Sequence, residues 1–265
     1  MTKKSPSHAI YLALVLLFLY LPIAVIVIHS FNSNESPASA IFNGFTLQWY
    51  QELWKSNDLM RTLKNSFIVS SASVLFSAVI GTPAGIVMAK YQFPGKGFFE
   101  SLMYMPILLP GIIMGISFLT FFSLLHLPFG YLTMVIGHST FCIPYVVIMV
   151  YTRMIGFDLS LEDASRDLGA SGFYLFRTVI WPEVFPAVIS AAMLSFAMSL
   201  DDVVISFFTA GATTDTLPIK VYSMLKLHGV RTINALCTIM ILVVIALFLL
   251  YQLYNTVSIQ KYKED

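Results

Sequence analysis

Charge is scarce in this sequence. Only 11% of its 265 residues are Asp, Glu, Lys or Arg, while 57% are apolar. A soluble domain carries about 25% charged residues, so an ordinary water-soluble globule is excluded. Cysteine is nearly absent. Cys142 and Cys237 lie far apart, each inside an apolar run, where they read as small buried side chains and leave the redox compartment open. No basic patch suits a nucleic acid, and a formal net charge of +1 identifies no partner. No phosphate loop is present: Gly95-Lys96 has no glycine five residues earlier and no Ser or Thr following the lysine. HExxH and GxSxG are missing too, which leaves an intramembrane enzyme without motif support. His138 and Cys142 share a helical face at i, i+4, but two ligands make a poor metal site.

What fills the chain is apolar runs near the ~20 residues that cross a hydrocarbon layer. They predict an all-α polytopic protein with spans at 9–29, 66–88, 99–125, 131–151, 185–208 and 232–254. The first follows Lys3 and Lys4, is too long for a signal h-region and reads as retained. The chain order gives a segment 1–65 (first span plus an external interfacial stretch), a five-helix core 66–254 with a cytoplasmic loop 152–184, and a tail 255–265. In the external stretch Thr46 is placed to cap a short helix with Leu47, Tyr50, Leu53 and Trp54 on one side. Gly81 and Pro83 predict a tolerated kink in the second span. Pro106, Pro110, Gly111 and Gly115 predict a bent third one. Six spans put both termini on one side. If that side is the cytoplasm, the inner segments hold Lys3, Lys4, Lys90, Lys96, Arg153, Arg166, Arg177, Lys261 and Lys263, and the outer ones Lys55, Arg61, Lys64, Lys220, Lys226 and Arg231. Nine against six is a modest positive-inside bias toward cytoplasmic termini.

Two stretches carry the functional information. The first is 162–182, the most charged interruption in the second half of the chain. Leu161, Ala164 and Leu168 fall at helical spacing, Gly169 is placed to end that helix, and a second amphipathic run through Phe173, Phe176 and Ile180 is predicted to stop at Pro182. The pattern fits a helix–turn–helix that docks outside the membrane; a solvated linker is the other reading of the residues alone. The second stretch is Asp201-Asp202 in the fifth span. Ser195, Ser199, Asp202 and Ser206 recur at steps of four, three and four, one polar stripe on a continuous helix, with Asp201 about 100° around from it. Intramembrane carboxylates cost about 2.5–3.5 kcal/mol at the bilayer centre on insertion scales, so they face water, a ligand or a partner charge. The stripe suits the wall of a translocation path, or a strut to a neighbouring subunit.

Both stretches resemble one family. Asp163-Ala164-Ser165, three residues, Gly169, nine residues and Val179-Ile180-Trp181-Pro182 are similar to the cytoplasmic-loop pattern E-A-A-x3-G-x9-I-x-L-P of ABC-importer permeases. The resemblance implies the ABC type I importer permease fold with six transmembrane helices, and a coupling loop (Glu162, Asp163, Ala164, Ser165, Gly169, Pro182) that seats in a groove of an ATPase subunit. The runs LSFAMSLDDVVIS, GHSTFCIPYVVIMVYTRMIGFD and LPIKVYSMLK look like the permeases of bacterial spermidine/putrescine importers, a similarity extending from the first span to the sixth. That likeness implies a non-enzymatic subunit in the bacterial inner membrane. Its partners would be an ABC ATPase dimer, a second homologous permease and an extracytoplasmic polyamine-binding protein. No cofactor belongs to this chain, ATP and Mg being bound by the ATPase. The family's Asp pair maps onto Asp201 and Asp202, its neighbouring serine onto Ser199 and its outer aromatic onto Trp49, which a membrane-edge belt would equally explain. Spaced carboxylates and aromatic faces are what a chain of ammonium groups needs. Gly111 and Gly172 stand where relatives can carry acids, which leaves the polyamine open. Another cargo such as thiamine or iron, an intramembrane enzyme, and a scaffold without cargo stay as alternatives.

Overall fold

The computed structural model describes residues 6–34, 41–226, 231–246 and 249. Apart from an isolated bridge between Asn32 and Phe45, the described residues carry helix and turn alone. Four helices are long and apolar enough to cross a membrane: Ile10–His29, Asn57–Lys90, Tyr131–Ile155 and Gly172–Leu200. The third predicted span is instead a broken pair, Lys96–Leu108 and Gly111–Leu124, meeting at 105°. Leu109-Pro110 is the reason. Pro110 cannot donate to an α-helical ladder and disfavours helix for the residue before it, and Leu109 is extended. The sixth predicted span is represented by the apolar helix Arg231–Ala246 and continues outside the described residues. So do Lys3, Lys4 and the tail with Lys261 and Lys263.

In chain order α1 is Pro6–His29, α2 Gln48–Lys55, α3 Asn57–Lys90, α4 Lys96–Leu108, α5 Gly111–Leu124 and α6 Tyr131–Ile155. After them come α7 Leu159–Asp167, α8 Gly172–Leu175, a π-helical turn Phe176–Ile180, α9 Trp181–Leu200, α10 Val204–Thr209 and α11 Leu217–Lys226. The chain divides into two compact units, residues 1–60 with 221–265 and residues 61–220.

The central unit is built on α3, α6 and α9. Gly81 and Gly85 are four apart on α3, and a Cβ on either would lie 2.8 Å from Val146 or from the Val147 carbonyl of α6. The two glycines therefore set how closely these helices pack, and α3 runs on through Pro83 as one helix. Thr62, Ser66, Ser70, Ser73 and Ser77 form a buried stripe on the same helix. Ser73 donates to the Val135 carbonyl of α6 at 3.4 Å, and Ser66 accepts from the Leu217 amide at 2.8 Å. A core of Ile86, Val146, Val150, Phe157, Leu175, Ile180 and Val184 joins these helices to the loop after α6.

In the other unit α2 turns its face differently from the expectation. Trp49 and Leu53 are buried, while Trp54 is 76% exposed. The Trp49 indole N–H donates to the Asn32 carbonyl at 2.8 Å, and that bond selects the face. Thr46 Oγ1 accepts from the Gln48 amide at 3.2 Å, one position before the helix's N-cap residue Leu47.

Candidate functional site

The fifth predicted span is not one continuous helix. α9 ends at Leu200, residues 201–203 break the helix, and α10 begins at Val204. Asp202 makes the restart. Its Oδ2 accepts from the Ser206 amide at 2.8 Å and its Oδ1 from the Ile205 amide at 3.4 Å, meeting donors that the first turn of α10 leaves free. Asp201 lies one residue earlier, at the C-cap of α9, and is exposed. The adjacent aspartates therefore differ in kind: Asp202 caps α10, and Asp201 is the exposed one.

The polar stripe turns inward. Ser195, Ser199 and Ser206 are all buried, and two of them meet His138 of α6, itself 0% exposed. His138 Nδ1 lies 2.6 Å from Ser199 Oγ, and Nε2 lies 2.9 Å from Ser206 Oγ and 3.5 Å from Asp202 Oδ2. Cys142 donates to the Ser195 carbonyl at 3.7 Å, and Ser195 Oγ has no hydrogen-bond partner among the described residues. The face packs against α6, where one imidazole meets the hydroxyls of Ser199 and Ser206. No group of three or more His, Cys, Asp or Glu that could hold a metal occurs among the described residues. Trp49 lies in the other unit, buried, with its N–H occupied.

The loop after α6 folds as two short helices around Gly169. Asp158 caps α7 by accepting from the Ser160 amide at 2.9 Å. At the far end Gly169 has φ +81°, and the Gly169 and Ala170 amides donate to the Arg166 and Ser165 carbonyls at 2.8 and 3.1 Å. Those two bonds and the left-handed glycine are a Schellman termination. Glu162 and Ser165 lie within this element, Glu162 buried and Asp163 not. Pro182 does not stop the second helix, as the sequence had suggested. The helix continues from Gly172 to Leu200 because the turn just before the proline widens, with the Trp181 amide donating to the Phe176 carbonyl five residues back. A π turn lets a proline ring pass without colliding with the carbonyl behind it.

Glu162 ties this loop to the membrane helices. It pairs with Lys90 at the end of α3, and its Oε1 meets Arg166 Nη2 at 2.9 Å. Burial pushes its carboxyl up, but the hydrogen bonds and charges of Lys90 and Arg166 outweigh that and hold it below its ordinary value. Around Gly169 the surface is apolar and bare: Leu168 is 90% exposed and Phe173 74%. Sequence reading missed both His138 as a hub and the Lys90–Glu162 pair. Each joins residues more than 60 positions apart, and the available signal was only a lone polar side chain facing a run of serines.

Residues 81–263 match the family described as "Binding-protein-dependent transport system inner membrane component". The chain belongs to that family. It is 36% identical over 236 residues, 89% of each chain, to the spermidine/putrescine transport system permease protein PotC of Escherichia coli K12. It is 33% identical over 245 residues, 90% of this chain and 86% of the relative, to the putrescine transport system permease protein PotI of the same strain. Among solved structures, a chain of a bacterial ABC transporter that imports the acidic polysaccharide alginate superposes with a TM-score of 0.73 at 16% identity, over 94% of both chains. The fold is that of an ABC-importer permease, and the family consists of transport components, not enzymes.

Proposed function

We propose that the chain is a permease subunit of an ATP-driven importer of polyamines in the bacterial inner membrane. The observation that carries this reading is the 36% identity over 89% of the chain to a spermidine/putrescine permease. Its chemistry agrees with the exposed Asp201 carboxylate at the break of a membrane helix. Asp201 meets a cargo ammonium there, while Asp202, Ser199 and Ser195 stand behind it and shape the turn. Trp49 orders the external segment of the first unit. An intramembrane carboxylate suits a cation and repels an anion, which favours polyamine over anionic cargo.

On this reading the loop from Asp158 to Pro182, with Glu162, Asp163, Ala164, Ser165 and Gly169, docks on a partner ATPase dimer through Leu168 and Phe173. That dimer binds ATP and Mg; this chain converts its closure into helix movement. A second homologous permease completes the path, an extracytoplasmic polyamine-binding protein delivers cargo, and both termini are cytoplasmic. The test is uptake of labelled putrescine and spermidine by vesicles holding the whole assembly with internal ATP. ATP-dependent accumulation of either is expected; accumulation of neither, with the receptor loaded, overturns the polyamine reading.

A further inference from the structure

His138 holds two helices across a break that neither helix could fix alone. Its two ring nitrogens reach opposite sides of residues 201–203: Nδ1 to Ser199 in the last turn of α9, Nε2 to Ser206 in the first turn of α10. Asp202 Oδ2, 3.5 Å from Nε2, is on the α10 side as well. The tautomer follows from these neighbours. With the proton on Nε2, the ring donates toward Ser206 and the carboxylate, and Nδ1 accepts from the Ser199 hydroxyl. The opposite tautomer would aim a lone pair at a carboxylate oxygen. Every part of this arrangement is buried except Asp202, so loss of the ring would strand several polar atoms away from water.

We infer that His138 is a positioning residue: it staples α9 to α10 and thereby fixes the direction in which Asp201 presents its carboxylate. The helix register alone does not do this: residues 201–203 are not helical, the Asp201 amide bonding back to Ala197 of α9 and the Val203 carbonyl accepting from Phe207 of α10, so each bond serves one helix. α6 is the natural anchor, since it is also the helix against which Gly81 and Gly85 press α3. A histidine that merely filled the core would need no partner on both sides of the break.

That Asp201 meets the cargo rests on the polyamine reading; the staple itself does not, and the experiment separates them. Nitroxides are attached through Met193→Cys on α9 and Phe207→Cys on α10, both exposed positions, with Cys237→Ala removing the accessible native thiol while Cys142 is buried. In the purified assembly the label-to-label distance distribution is narrow with His138 present. His138→Ala broadens it and raises the uptake KM by about tenfold, with the maximal rate per assembled complex far less changed. His138→Gln, whose amide falls near the position of Nε2, keeps the α10 arm and restores part of both.

An unbroadened distribution in His138→Ala overturns the staple. If His138→Ala fails to assemble, Ser199→Ala and Ser206→Ala each remove one arm. A narrow distribution and a wild-type KM in both would equally overturn it. Should the wild-type assembly take up neither polyamine, the cargo reading fails, and the label distances still decide the role of His138.

Discussion

At the scale of single residues, the adjacent aspartates predict opposite phenotypes. Asp201 is exposed and caps no amide of α10, a task that falls to Asp202, so Asp201→Asn removes a charge and leaves the α10 cap in place. We expect assembled complex at wild-type abundance, and uptake affinity for polyamine lower by about tenfold, which corresponds to ~1.4 kcal/mol. Asp202 receives the Ser206 amide at 2.8 Å and faces His138. Asp202→Asn keeps one acceptor but places an amide where two donors converge, so abundance falls together with uptake. Uptake per complex, with abundance measured in the same vesicles, distinguishes the two. Equal uptake per complex for wild type and Asp201→Asn would remove Asp201 from the path.

At the scale of elements, the loop from α7 to α8 depends on one backbone conformation and one ion pair. Gly169 has φ +81° with nothing within 4 Å of a built Cβ, so a side chain there meets strain in the backbone and no clash. A left-handed conformation costs an L-residue about 1–2 kcal/mol, more for a β-branched one, while asparagine tolerates it. Gly169→Val should weaken capture of the ATPase and abolish transport, and Gly169→Asn should retain most of both. Identical co-purification of the two variants would contradict the turn's role. The Glu162 carboxyl is held below its ordinary value, so its contribution is complete above the unfolded value of ~4.3 and is lost as pH falls through the lower folded value. Hydrogen exchange of the α7 amides, corrected for the intrinsic rate, should be level from neutral pH down to about 4.3 and rise below it. With Glu162→Gln the same amides should be loosened already at neutral pH.

At the scale of the whole molecule, the 105° break between α4 and α5 bears on the topology. If the pair crosses the bilayer, Lys96 is cytoplasmic, His126 external and Arg177 cytoplasmic again. A re-entrant pair would leave His126 and Lys96 on the same side. Reporter fusions after Lys96 and Arg177 should read cytoplasmic, and those after Asp58 and His126 external. A cytoplasmic signal at His126 would make the pair re-entrant and reverse every later segment.

By itself the sequence determined the class, the apolar runs and the termination at Gly169. These are local properties: burial demand per residue, helical spacing, and one backbone conformation open to glycine. The coupling-loop pattern was legible for the same reason, since its spacing lies within twenty-odd consecutive residues. Tertiary structure alone decided which way each polar face turned. Ser195, Ser199 and Ser206 fit a path wall as well as a core stripe until His138, from another helix, supplied their partner. The break at 201–203 was hidden because Asp202 satisfies the first amides of α10 by a side-chain bond that apolar periodicity does not encode. Pro182 misled for a similar reason: a proline usually ends a helix, but a widened turn ahead of it let the helix run on from α8 into α9. Residues adjacent in sequence declare their geometry locally. Those that meet across helices do so only once packing has chosen which faces touch.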